Sequence, residues 1–462
     1  MIEVFNHLIQ LKQNGTRDLD GLDGRILKMS ASIISDTLTY IYNLCIDKSY
    51  FPLKLKNAKV IPIHKGGEYS DPSNYRPISI ISLLSKPIEK HIYHHLNKHL
   101  TKYNLIHENQ SGFRKNHSCH TALTQLLDKC LLNINNNEFN GMVYADFAKA
   151  FDIISHSLLI KKLKHYGVNT HTLDFLTSFL QHRKQLVQIG PKQSKFLPLT
   201  NGVPQGSIMG PLLFSIYIND LPLSVTNSCE MFADDTSLHA SDINPTNLCF
   251  KLQNSINDLI DWTELNHMAL NAKKTKCMFL TTRQKRIKMT TLFPSLYAYN
   301  KQIKEVDSHK VLGVTIDKDL SWSEHIATLA KSLSQRVYQL SKIKHFLDVS
   351  SRKLFFHAHI QSRINYASTL WDRASETNLK YIFRLYKRAI KMVLLKPNSL
   401  NTNDYKKLDI LPFKSSLIYN KYMFMHKIMN GFAPNKIISN FITNQNRHKH
   451  IITLPRPNNN LF

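Results

Sequence analysis

Residues 229–240 read CEMFADDTSLHA, and they constrain the fold more than any other stretch. Asp234 and Asp235 stand side by side, with Met231, Phe232 and Ala233 before them and Thr236, Ser237 and Leu238 after. This pattern reads as strand, tight turn, strand, with the acids at the turn. An acidic pair at a turn is common, because Asp hydrogen-bonds its own backbone there. Here the flanks are apolar, so the carboxylates are held at the rim of a sheet rather than on a loose loop. Close, partly buried carboxylates repel one another and need cations. When all ligands are oxygens, divalent magnesium is the usual answer. A third acid is then expected on a neighbouring strand. NGMVYADFAKAFDIIS (140–155) provides one, as a strand that breaks at Asp146. Strands carrying Asp146 and Asp234 side by side could clamp two ions about 4 Å apart, an arrangement suited to phosphoryl transfer.

The charge balance points to a polyanionic partner. Lys and Arg number 60 against 33 Asp and Glu, a formal net charge of +27. The excess is uneven, with 23 Lys and Arg against 7 Asp and Glu from residue 319 onward. There, YIFRLYKRAIKMVLL (381–395) reads as a helix with a wet basic face and a core-facing stripe. A surface that tracks nucleic acid needs the same ingredients. Six scattered cysteines form no C-x-x-C pair, so neither a disulfide framework nor a zinc knuckle is expected. No apolar run reaches membrane-spanning length, which favours nucleic acid over a membrane as the partner.

The remaining pattern predicts an α+β core, in which a small antiparallel sheet is backed by helices. A helix over 24–46 should place Ile26, Leu27, Ile33, Ile34, Leu38 and Ile41 on one side. KVIPIH (59–64) reads as a short strand. A helix near 82–103 carries His91, His94, His95 and His99, for which a solvated face outranks a zinc site. QLVQIG through SKFLPLT reads as a hairpin running into the loop GVPQGS (202–207). Pro211 opens the next helix, and residues 247–268 form an amphipathic one with Leu252, Ile256, Leu259 and Ile260 inward. KCMFLTT and HKVLGVTID are further strands, followed by helices from 322 to about 430.

Taken in order, these segments resemble the reverse transcriptases of non-LTR retrotransposons (LINE-type, jockey-like) over roughly residues 20–400. The resemblance is carried by FPLKLKNAKVIPIHKGG with DPSNYRPISIISLLSKPIEK, QSGFRKNHSCHTAL, VYADFAKAFDIISHSLLIKKLKHYGV, NGVPQGSIMGPLLFSIYINDLP, MFADDTSL, LNAKKTKCMFL and HKVLGVTID. FADD together with GVPQGS is specific to these polymerases. The resemblance implies a right-hand fold of fingers, antiparallel-sheet palm and helical thumb. Residues 1–44 would be a helical lead of the fingers, 45–318 the fingers and palm, 319–430 a basic helical thumb and 431–462 a loose tail.

The resemblance also implies roles. Asp146, Asp234 and Asp235 would be the catalytic acids. Asp146, Asp234 and the Phe147 carbonyl would hold two magnesium ions, with manganese as a substitute. Arg114, Phe151, Gln205, Gly206 and Lys274 would meet the nucleotide. Phe151 would be the gate against a ribose 2′-OH, and Lys273 and Lys276 rival Lys274 at the pyrophosphate. Asp152 reads as structural. Leu312 and Gly313 would grip the primer end. The implied partners are an RNA template, a DNA primer or target and dNTPs, in the nucleus or cytoplasm. Elements of this type usually carry an endonuclease ahead of the polymerase; this chain has only a short lead, so it is not expected to nick DNA. Nor is an RNase H site expected. Two other readings are a catalytically inactive relic that only binds nucleic acid and an RNA-dependent RNA polymerase.

Overall fold

The computed structural model describes residues 1–12, 17–289, 292–438, 442–446 and 449–453. Two five-stranded sheets organise the chain before residue 319. The first begins with β1 (Asn57–His64), which pairs antiparallel with β2 (Tyr75–Ile81). Two prolines face each other in this pair, Pro62 and Pro77. They are tolerated because β2 is an edge strand and the other neighbour of β1 reaches only to Val60.

The second sheet is built round β3 (Phe139–Ala145), every residue of which is buried. Its side chains alternate between two cores. Phe139, Val143 and Ala145 join a large cluster under the helix Pro245–Leu265. Met142 and Tyr144 join another, beneath the helix Cys119–Asn135. A strand covered on both faces reads as a continuous apolar run rather than an alternating one, as this one does. Gly141 lets the helix approach, since a Cβ there would lie 2.4 Å from a methyl of Leu252.

Next in the chain, β4 (Arg183–Ile189) returns to the first sheet and lies parallel to β1. The short β5 (Lys192–Gln193) and β6 (Leu197–Leu199) fold back on β4. The expected hairpin is therefore present, and it extends the first sheet. β7 (Ser228–Phe232) and β8 (Asp235–Asp242) form a hairpin against β3, and β9 (Lys276–Leu280) covers the other edge of β3. A minor hairpin, β10 (Tyr297–Ala298) with β11 (Lys301–Gln302), precedes β12 (Lys304–Glu305), which lies parallel to β9. β13 (Ser308–Val311) and β14 (Val314–Asp317) form a separate hairpin.

Helices follow from Ser323 to Met429. They do not build a core of their own. Leu333, Val337, Phe356, Trp371 and Tyr386 share the cluster that holds Met142 and Tyr144. In the helix Glu376–Leu394, Ile382, Tyr386, Ala389 and Ile390 point in, while Lys380, Arg384, Lys387 and Arg388 are exposed.

Three local expectations need revision. The helix over 24–46 is broken at Ser30 into Gly24–Met29 and Ala31–Asp47, and the Ser30 hydroxyl donates to the Ile26 carbonyl. Its buried face is Leu27, Ala31, Ser35, Tyr42 and Cys45, whereas Ile26, Ile33 and Ile41 are exposed. The tail read as loose begins with an ordered stretch. Residues Asn435–Ile438 are helical, Ile437 is fully buried, and Lys436 Nζ donates to Asn109 and Glu230. Ile442–Asn446 then pairs with Lys449–Thr453, and the rest of 439–462 lies outside the described residues. Among the described residues no helix is long and apolar enough to cross a membrane.

Candidate active site

Two strand ends meet at one rim of the second sheet. The β3–β8 ladder closes with Ala145 opposite Thr236. One step on, Asp146 leaves β3 across from Asp235, the first residue of β8. Phe232 pairs with Asp235, so Ala233 and Asp234 form a two-residue turn. Ala233 takes the left-handed conformation, φ 56°. Asp234 therefore sits at the tip of the tightest kind of hairpin, and both acids reach solvent although the protein packed beside the turn partly desolvates Asp235.

The backbone beyond Asp146 is held from the opposite side. Asn271 N–H donates to the Asp146 carbonyl at 2.7 Å, and Ala148 N–H donates to the Ala269 carbonyl at 2.8 Å. These bonds flank Phe147. In an antiparallel pair the carbonyl between two such bonds faces the other way, here toward the β7–β8 hairpin. The Phe147 side chain is buried beside Trp262.

The acids perturb each other. Burial holds the Asp146 carboxyl above its ordinary value, and the charge of Asp234 adds to this. Lys274, Lys65 and a hydrogen bond from Asn271 pull it back down. Asp235 is likewise raised, first by burial and then by Asp234 and Asp146, with Arg76 opposing. Three carboxylates and three cationic side chains thus share one electrostatic neighbourhood. Of the lysines in contention at 273, 274 and 276, Lys274 is the one whose charge reaches Asp146.

The donor set fits a hard divalent cation. Asp146 and Asp234 offer carboxylates and Phe147 a carbonyl, all oxygen. Among the described residues, no group of three His, Cys, Asp or Glu is gathered closely enough to cage a metal by itself. Such an ion would take its remaining ligands from water and substrate phosphate, as magnesium does. His91, in the histidine-rich helix, instead bonds Glu3 at 2.9 Å.

The GVPQGS loop lies against the segment after Asp146. Val203 N–H donates to the Phe151 carbonyl at 2.9 Å, and Gly202 N–H donates to the Ile154 carbonyl at 2.8 Å. Gln205 Nε2 donates to Asp152 Oδ1 at 2.8 Å, so Asp152 orients Gln205. Phe151 is half-buried and stacks on Phe214, with ring centroids 4.3 Å apart. Gly206 makes a close approach within the protein, because a Cβ there would lie 2.1 Å from the Ser79 carbonyl on β2. The loop is thereby seated against the first sheet, and Ser79 N–H donates to the Gln205 carbonyl at 3.0 Å.

Leu312 and Gly313 form the β13–β14 turn, both with positive φ (45° and 83°). The Tyr366 hydroxyl donates to the Leu312 carbonyl at 2.5 Å. This turn and the acidic one are neighbours. A small cavity of about 30 Å³ is lined by Ser111, Met231, Phe232, Asp235, Val311 and Leu312.

Arg114 stands apart from the acids' cationic neighbours. It is half-buried, and its NH1 group donates to the carbonyls of His107 (2.9 Å) and Gln110 (3.1 Å) in its own loop. Burial lowers its pKa. The cationic side chains whose charges act on the acids are Lys65, Arg76 and Lys274, two of which the sequence reading passed over. Both missed residues lie in HKGG and NYRPIS, where a cation beside turn residues was a usable signal. Asn271 and Tyr366 carried no such signal.

The family profile described as reverse transcriptase (RNA-dependent DNA polymerase) matches residues 63–316, just over half of the chain. The probable RNA-directed DNA polymerase from transposon BS of Drosophila melanogaster is 28% identical over 382 residues, which cover 77% of this chain and 40% of that protein. The RNA-directed DNA polymerase from mobile element jockey of the same species is 27% identical over 438 residues, 91% of this chain and 47% of that protein. The probable RNA-directed DNA polymerase from transposon X-element is 24% identical over 365 residues, 77% of this chain and 39% of that protein. The chain spans less than half the length of these relatives.

Proposed function

The chain belongs to the reverse transcriptase (RNA-dependent DNA polymerase) family, and from that premise we propose that it extends a primer 3′-hydroxyl on an RNA template with dNTPs. The observation that carries this reading is the meeting of Asp146 with the Asp234–Asp235 turn at one sheet rim, their charges coupled. The sheet bearing them is the palm, the β1–β2–β4 sheet belongs to the fingers, and the helices after 319 form a basic thumb. Exposed Lys380, Arg384, Lys387 and Arg388 would follow the duplex by its phosphates.

Asp146, Asp234 and the Phe147 carbonyl would hold two magnesium ions. When bound, such ions make the primer 3′-oxygen a better nucleophile and steady the charge on the departing pyrophosphate. The 3′-oxygen forms the new bond to the α-phosphorus, the bond from that phosphorus to the β-phosphate oxygen breaks, and the hydroxyl proton passes to solvent. The protein's own groups do the positioning. The charges of Lys65, Arg76 and Lys274 act on the acids; Lys65 and Arg76 would supply positive charge for the triphosphate, and Lys274 would protonate the pyrophosphate. Arg114 braces the loop that carries it. Asp235 supports the turn from the first position of β8. Phe151, anchored on Phe214, would meet the sugar.

Primer extension on poly(rA)/oligo(dT) with dTTP and magnesium tests the reading, with Asp234→Asn alongside. Extension by the first protein and none by the second is expected. If neither extends while both fold and hold the duplex, the binding-only relic is the better account. Phe151→Ala separates DNA from RNA synthesis: the ratio of ribonucleotide to deoxynucleotide incorporation should rise, and an unchanged ratio removes the gate role.

A further inference from the structure

Gln110 is fully buried, and its side chain ends beside the acidic turn. The segment that carries it runs along β7. Met231 N–H donates to the Asn109 carbonyl and Ser111 N–H to the Met231 carbonyl, both at 2.9 Å. Within this pairing Gln110 Oε1 accepts two backbone donors, Ala233 N–H at 3.0 Å and Gly112 N–H at 2.7 Å. Both partners are donors, so the amide must present its oxygen to them.

Ala233 is the strained residue of the turn. An L-residue is disfavoured in the left-handed region and stays there only where its surroundings impose it. Its N–H also lies outside the β7–β8 ladder and would be a buried orphan without Gln110. The approach is close on a second count, because a Cβ on Gly112 would lie 2.3 Å from Ala233 N. Meanwhile, among the described residues, Gln110 Nε2 is buried with no hydrogen-bond partner. Holding such a group is a cost, borne here for the sake of the oxygen.

Resting on the polymerase reading, we infer that Gln110 is a positioning residue: its amide oxygen holds Ala233 left-handed and so aims Asp234 at the metal-binding rim. It touches no substrate and acts only through the turn. Arg114 steadies it from behind by donating to the Gln110 carbonyl. The loop that carries Gln110 and the acidic hairpin are therefore joined at the point where the nucleophile would be activated.

A double-mutant cycle on the full chain tests this, using Gln110→Met, which keeps length and removes the acceptor, and Ala233→Gly, which removes the cost of positive φ. Three quantities are read: kcat and dNTP KM, the duplex Kd, and the rise in melting temperature produced by magnesium alone. Gln110→Met should lower kcat about tenfold, the worth of one well-placed hydrogen bond. It should also shift the magnesium dependence of extension and of melting to higher concentration, with the duplex Kd unchanged. In the Ala233→Gly background the same substitution should cost less than about threefold. Equal losses in both backgrounds, or duplex binding that falls in step with kcat, would overturn the inference and make Gln110 a fold residue. An unchanged magnesium response would overturn it too. Should Gln110→Met fail to fold, Gln110→Glu, with an acceptor at the same reach, carries the test: a normal magnesium response supports the role and a lost one overturns it. An inactive parent chain would defeat the polymerase reading, while the magnesium-induced melting shift would still judge the role of Gln110.

Discussion

Two tight hairpins stand beside each other at the site, and they solve one problem in two ways. The turn Ala233–Asp234 has positive φ at its first position; the turn Leu312–Gly313 has it at both. The first is the pattern for which glycine is favoured at the leading position, and the second the pattern that suits Asn-Gly. Each instead begins with a residue bearing a Cβ. Each is held by one side chain from a distant segment. Gln110 takes the Ala233 N–H, from 123 residues away. Tyr366 donates to the Leu312 carbonyl from 54 residues away and lays its ring 3.3 Å from where a Gly313 Cβ would be. The acidic turn is thus fixed through its donor by a buried group, and the other through its acceptor by a half-exposed one. Strained turns at a site are sustained by tertiary bonds rather than by their own sequence.

If the comparison is right, the two braces fail differently. Loss of the Gln110 brace should appear in kcat and in the magnesium response, as set out above. Tyr366→Phe removes only the hydroxyl. It should raise the KM for primer–template about 5–10-fold, the worth of one hydrogen bond, and leave the magnesium response alone. Steady-state extension at varied duplex concentration reads this directly. A shifted magnesium curve with an unchanged duplex KM would show that the two turns act as one unit.

The smallest expected effect concerns stability. Asp146 and Asp235 titrate above their ordinary value, because burial and the charge of Asp234 disfavour their ionised forms. The sign follows from linkage. Their neutral forms favour the fold, so that contribution is complete below the unfolded pKa and is lost as pH rises through the folded pKa. At neutral pH without metal the acidic turn is therefore a liability. Asp234→Asn should raise the melting temperature in EDTA by about 1–2 °C and abolish the rise produced by magnesium. Gly313→Ala should lower it with or without magnesium, since that turn stores conformational strain and no charge. Calorimetry with EDTA and with magnesium distinguishes the two, and a lower melting temperature for Asp234→Asn in EDTA would show that the acids do not strain one another.

Much of the site was legible in local pattern. The strand that breaks at Asp146, the hairpin with Asp234 at its tip, the helix opened by Pro211 and the order of the strands all follow from apolar periodicity and turn chemistry over a few residues. Where the reading of local pattern went astray, tertiary packing had overruled it. Ile33 and Ile41 belong to the apolar set of their helix and yet face outward, while Leu27, Ala31 and Tyr42 form the buried side. The stretch 431–462 was read as a loose tail, but within it Ile437 is buried and Lys436 finds Asn109 and Glu230.

The sequence by itself determined which acids could act and on which strands they lie. A carboxylate after an apolar strand, or at a two-residue turn, is a short-range property that needs only a few neighbours. Tertiary structure alone decided what holds those acids in place and which cations act on them. Arg114 and Arg76 look alike in sequence, but one is bound by the carbonyls of its own loop and the other acts on Asp235. Gln110 and Tyr366 are unremarkable letters until packing brings a left-handed backbone within reach. The reason is physical: periodicity and turn propensity are summed along the chain, whereas a single hydrogen bond or ion pair depends on the position of a partner that the chain reaches only after folding.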